Sequence, residues 1–172
     1  PQAEQYIKQY YRLAVQEMER TLVPASITLA QGMLESGFGT SELAQRANNH
    51  FGIKCHKGWT GDTYSHESSE TLNGKTKPIL SCFRSYGDVL ESFKDHSDFL
   101  ASRSNYSFLF QSNTKDYKSW AKGLSKAGYA TDPNYAKKLI ATIEMYNLSE
   151  FDQFQSPELS FNLNYNSSSE FN

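Results

Sequence analysis

Ser26-Ile27-Thr28-Leu29-Ala30-Gln31-Gly32-Met33-Leu34-Glu35-Ser36-Gly37-Phe38-Gly39 is the stretch that decides how this chain is read. Ile27, Leu29, Ala30, Met33 and Leu34 leave little polar face, so a helix over 24–35 has to be buried on most sides. Pro24 suits its first turn, and Gly37 suits a C-cap, where the backbone turns left-handed. Glu35 then falls in the last turn of a greasy helix. Loss of water disfavours its carboxylate, and so does the negative end of the helix dipole. Both raise its pKa. A carboxylic acid kept protonated near neutral pH is suited to protonating a leaving oxygen. The plainer alternative is a partly exposed helix-terminal Glu with no role.

Outward from this helix the chain reads as a small α+β domain. Residues 4–20 carry Tyr6, Ile7, Tyr10, Leu13, Val15 and Met18 at helical spacing. Thr40 or Ser41 caps a short helix to about Ala47. Residues 48–85 change character: Gly52, Gly58, Gly61, Asn73-Gly74 and Pro78 punctuate segments rich in Thr, Tyr and Ile, which predicts a small antiparallel lobe with a hairpin at Asn73-Gly74. Helices resume after Gly87: one to about 101, one marked by Tyr117, Trp120, Ala121 and Leu124, and one after Asp132-Pro133. Residues 1–150 are expected to form the domain and 151–172 a tail or linker. Nine of the last 17 residues are Ser or Asn, yet Leu159, Phe161, Leu163 and Tyr165 alternate with polar residues, which leaves a short strand open.

The 172 residues hold 11 Phe, 11 Tyr and 2 Trp, ample for one core although only 38% of the chain is hydrophobic. Lys and Arg number 17 against 19 Asp and Glu, so the basic excess of a general nucleic-acid binder is missing. No apolar run approaches the roughly 18 residues of a membrane helix. The opening Pro1-Gln2-Ala3-Glu4 has no initiator Met and reads as a mature or trimmed piece, so a missing signal peptide does not argue against export.

Four segments in order carry a resemblance: Ala30-Gln31-Gly32-Met33-Leu34-Glu35-Ser36-Gly37-Phe38-Gly39-Thr40-Ser41, Asn48-Asn49-His50-Phe51-Gly52-Ile53-Lys54, Phe83-Arg84-Ser85-Tyr86 and Gly128-Tyr129-Ala130-Thr131-Asp132-Pro133-Asn134-Tyr135-Ala136. Together they resemble the bacterial peptidoglycan N-acetylglucosaminidases of glycoside hydrolase family 73, over about residues 4–150. The resemblance implies a lysozyme-like fold, with a helical lobe, a small β-lobe about 48–85 and a glycan groove between them. It implies an exported monomeric enzyme acting on peptidoglycan strands without a cofactor or metal, at the β-1,4 bond after N-acetylglucosamine. A muramidase or lytic transglycosylase on the same scaffold is the rival activity, and a non-catalytic glycan-binding module the rival class.

By the same resemblance Glu35 is the general acid, and a β-lobe carboxylate is its partner. Glu70, just before Asn73-Gly74, is the first candidate; Glu67 and Asp62 are rivals, and the substrate's own acetamido group is an alternative nucleophile. Tyr129 is expected in the groove near Glu35. Tyr135 and Tyr106 face substrate or pack in the core. Trp59, in a Gly-Trp-Thr-Gly loop, is a candidate groove wall, whereas Trp120 sits on a core stripe. Gln31, one turn before Glu35, bonds an acetamido group or satisfies buried backbone. Cys55 and Cys82 bracket the β-lobe and are expected to form one bridge, with two packed thiols as the alternative. A zinc site from His50, Cys55, His56 and Cys82 fits no standard spacing. A Cys–His peptidase is disfavoured because Cys55 falls at a strand end.

Overall fold

The apolar run at residues 25–36 became the axis of the molecule. A computed structural model of the protein describes residues 1–111 and 116–154. Helix α1 spans Gln2–Thr21 and α2 spans Ala25–Ser36. In α2 every residue from Ala25 to Met33 is buried. Ile27, Leu29 and Met33 have no exposed surface, and burial of each contributes about 2 kcal/mol. The helix ends where expected: Gly37 takes φ 55°, and its N–H returns to the carbonyl of Met33. Ser36 locks this end, donating to the Gly32 carbonyl and accepting the Gly39 N–H at 2.8 Å.

The other helices enclose α2. A short α3 at Glu42–Ala47 is capped by Ser41, whose side chain accepts the Ala44 N–H. Helices α4 at Val89–Ser102, α5 at Tyr117–Lys126 and α6 at Tyr135–Met145 follow the hairpin. Asp88 and Asp116 supply N-caps to α4 and α5. Two 3-10 helices, Ser104–Phe110 and Leu148–Gln153, lie where the sequence gives no periodic signal. The second carries the domain past residue 150. Phe151 stacks on Tyr11 at 5.3 Å, and Asp152 accepts both the Ser26 N–H at 2.8 Å and its hydroxyl at 2.5 Å. A carboxylate thus sits at the positive N-terminus of α2. The alternating residues 159–165 lie outside the described residues.

The β-lobe is smaller than its predicted span. Strands β1, Thr63–Leu72, and β2, Lys75–Arg84, pair antiparallel with Leu72 opposite Lys75. Asn73 and Gly74 take φ 52° and 76°, as a two-residue hairpin turn requires. Residues 53–55 run antiparallel beside β2 through a bridge between Lys54 and Phe83, with the Cys55 N–H donating to the Cys82 carbonyl and the Arg84 N–H to that of Ile53. Left-handed backbone at Asn48, Gly52, His56 and Gly58 interrupts any longer strand. Cys55 and Cys82 form a disulfide, Cα–Cα 5.4 Å, that fastens this irregular segment to β2. Arg84 meets both oxygens of Asp95 at 3.1 and 2.9 Å and so ties β2 to α4.

Candidate active site

A groove of about 450 Å³ runs between the helical lobe and the hairpin. Glu35 lines it from the end of α2, and Glu67 and Glu70 line it from β1. Phe51, Phe99, Tyr106 and Tyr129 supply apolar wall. Buried Asn49 shapes the loop over Glu35. Its amide donates to the carbonyls of Ile53 and Arg84 at 3.0 and 2.9 Å, and its oxygen accepts the N–H groups of Phe51 and Ile53. This loop brings Gly52 against the acid. Gly52 takes φ 66°, and a Cβ there would stand 3.3 Å from Glu35 Oε2. Both the conformation and the close approach favour glycine here.

Burial pushes the Glu35 carboxyl up to about 7. A hydrogen-bonding interaction with Tyr135 pulls the other way, and the negative charge of Glu70 adds a further upward push. Tyr135 is itself fixed from behind. Gln31 Nε2 donates to its hydroxyl at 2.9 Å, and Gln31 Oε1 lies 2.7 Å from His96 Nε2. His96 has no exposed surface, and burial lowers its pKa to about 3, so the ring is neutral. A neutral ring facing an amide oxygen presents N–H at Nε2, which leaves Nδ1 a bare acceptor with no hydrogen-bond partner among the described residues. The direction is then set along the row. His96 donates to Gln31, Gln31 to Tyr135, and the Tyr135 proton points to Glu35.

Glu70 is held differently. Lys54 Nζ donates to its Oε1 at 2.5 Å, and Thr131 Oγ1 approaches its Oε2 at 3.5 Å. Thr131 also accepts the Thr71 N–H at 3.4 Å, so the turn after Tyr129 touches the hairpin beside Glu70. Glu67 is exposed on the same strand, and Asp62 is exposed outside the groove lining. Tyr129 lies in the groove, stacked on Tyr135 at 5.8 Å, and its hydroxyl donates to the Phe51 carbonyl at 3.0 Å.

The chain matches the family model described as mannosyl-glycoprotein endo-beta-N-acetylglucosaminidase over residues 11–148. It belongs to this glucosaminidase family. It is 38% identical to the exo-glucosaminidase LytG of Bacillus subtilis over 151 residues, 85% of this chain and 52% of that protein. It is 35% identical to the peptidoglycan hydrolase FlgJ of Salmonella typhimurium over 73% of this chain and 40% of that one. The chain therefore spans about half or less of these relatives' length. A crystal structure of a peptidoglycan hydrolase mutant from Sphingomonas sp. A1 superposes with a TM-score of 0.76 at 30% identity, covering 88% of this chain and 97% of the other.

The structure places three of the expected site residues away from the groove lining. Trp59 is not a groove wall: Arg84 lies over its ring at 4.5 Å, its indole N–H donates to the Asp62 carbonyl at 2.9 Å, and the ring lies outside the groove lining. The amphipathic indole satisfied its polar edge locally and its face on a cation. Gln31 is wholly buried and does not line the groove, in keeping with the buried alternative. Tyr135 is 4% exposed and stands behind Tyr129 rather than in the groove. Tyr106 is equally buried but does line the groove. The cysteines imagined as zinc ligands are joined to each other. Gly52, Lys54, Thr131 and His96 were not singled out from sequence. The first three lie inside the resembling segments, and His96 carries no local signal at all.

Proposed function

We propose that this chain is an endo-acting peptidoglycan N-acetylglucosaminidase that hydrolyses the β-1,4 bond following N-acetylglucosamine. The carrying observation is the pairing of environments in one groove: Glu35 raised towards the uncharged acid by burial, and Glu70 bound to a cation. Glu35 gives its proton to the glycosidic oxygen as the bond to the anomeric carbon breaks. Glu70 takes a proton from the incoming water, whose oxygen bonds to that carbon. Gln31 and Tyr135 act from behind, fixing the Glu35 carboxyl. Neither step draws on a metal or organic cofactor.

One observation supports a second route to the same product. Tyr129 lines the groove, and its hydroxyl proton is engaged by the Phe51 carbonyl, which leaves the oxygen able to act only as an acceptor. It can receive the N–H of an acetamido group and align that group's carbonyl for attack on the anomeric carbon. Described residues of a single chain line the groove on both walls, which supports action as a monomer. The substrate places the enzyme in the cell envelope or outside the cell.

Purified peptidoglycan digested with the protein, reduced with borohydride and weighed by mass spectrometry tests the reading. Reduced N-acetylglucosamine ends are expected. Reduced muramic ends identify a muramidase, anhydromuramic ends a lytic transglycosylase, and binding without products a glycan-binding module.

A further inference from the structure

A cation that the hydrolysis does not use stands beside the groove, on the ring of a groove residue. Phe99 lines the groove, and three cationic or imidazole side chains gather on its ring: Arg103 with Cζ at 4.3 Å from the centroid, Arg84 at 5.7 Å, and His56 with ring centroids 5.4 Å apart. Two nearby charges are answered, since Arg84 is paired with Asp95 and Lys54 with Glu70. Arg103 has no carboxylate within ion-pair distance among the described residues. Its stacking on Phe99 positions the guanidinium without neutralising it. His56 lines the groove in left-handed backbone, φ 35°, a conformation sparsely populated by side-chain-bearing residues and concentrated at functional sites. The groove carboxylates Glu35, Glu67 and Glu70 all lie on other elements, α2 and β1.

A neutral sugar backbone gives a stacked, unanswered guanidinium nothing to pair with. In peptidoglycan, carboxylates are carried by the peptides attached to muramic residues. We infer that Arg103, with Phe99 and His56, forms an anion-binding subsite beside the catalytic groove that receives a carboxylate of this peptide branch. The inference rests on the hydrolase reading and sharpens its substrate to peptide-bearing strands. Burial, and then the charges of Arg103, Arg84 and Lys54, hold His56 below the usual imidazole range. A hydrogen bond to the Lys54 backbone opposes this shift and holds the ring in place, and Arg103 supplies the charge.

The test compares kcat/KM on three substrates: intact peptide-bearing strands, strands stripped of peptide by an amidase, and strands freed of attached phosphate polymers but keeping their peptides. One charge-assisted contact predicts a preference of about tenfold for both peptide-bearing forms. Arg103→Gln should bring these down to the stripped-strand rate, chiefly through KM, and leave the stripped-strand rate unchanged. Arg103→Lys should restore part of the preference. Equal losses on all three substrates, no preference in the wild type, or a preference that follows the phosphate polymer overturns the subsite. Equilibrium binding of the same strands to Glu35→Gln protein separates the two claims. Peptide-dependent binding that Arg103→Gln abolishes, in a protein whose wild type cleaves nothing, sustains the subsite and removes the hydrolase.

Discussion

Glu35 and Glu70 face one groove from two walls built in opposite ways. Glu35 ends a helix with almost no polar face, closed over by the loop that carries Gly52, and backed by a buried row of side chains. Glu70 rises from a two-stranded hairpin whose outer residues are nearly all exposed, and a lysine from the facing loop steadies it. The comparison teaches how one groove gives two carboxyls different surroundings: burial raises the Glu35 pKa, and a lysine ammonium holds Glu70. Glu35 is half-buried where the core meets the groove, and Glu70 is half-buried on the hairpin beside a cation.

Removing the acid should break the comparison most severely. Glu35→Gln should lower kcat by about 10³-fold or more while glycan binding persists; full activity in a steady-state assay would show that the proton comes from elsewhere. On the hairpin side, Glu70→Gln should cost about 10²-fold and Glu67→Gln under about threefold. Equal small losses for both would favour the acetamido route. Gln31→Leu removes the donor that holds Tyr135. It should lower kcat about tenfold and move the alkaline limb of the pH profile, which lies near pH 7 in the parent from Glu35, with little change in KM.

The same contrast predicts a stability effect of opposite sign. The folded protein raises the Glu35 pKa from 4.5 to about 7. Its protonated form favours folding below pH 4.5, and that advantage is lost as pH rises to 7 and beyond. Glu35→Gln should therefore be more stable than the parent above pH 7, by up to about 3 kcal/mol, and the gain should fade by pH 5. Thermal melts at pH 5 and pH 8 check the sign. The smallest effect belongs to the hairpin's attachment: Cys55→Ser with Cys82→Ser should lower stability by about 2–3 kcal/mol, read as a fall in Tm.

What the sequence made legible divides along the same two walls. The helical side could be read residue by residue, because Ile27, Leu29 and Met33 repeat a pattern that burial enforces and Gly37 marks a stop. The hairpin turn was equally plain at Asn73-Gly74. Trp59 was misread because an aromatic near a groove carries no local mark of whether it faces sugar or, as here, a guanidinium on another strand. Gln31 and Tyr135 were left between groove and interior for a related reason. Helix position told which face Gln31 shares with Glu35, but only the packing of α4 and α6 against α2 made that face interior. The 3-10 segments escaped because a single tight turn has no period to detect.

Asp152 deserves a practical conclusion. The family match stops at residue 148, yet the carboxylate seated on the first turn of α2 comes four positions later. A shortened version cut at the homology boundary would leave two buried donors of Ser26 unanswered, at the far end of the very helix that holds the acid. Anyone grafting this domain onto another protein should carry the chain through Phe154.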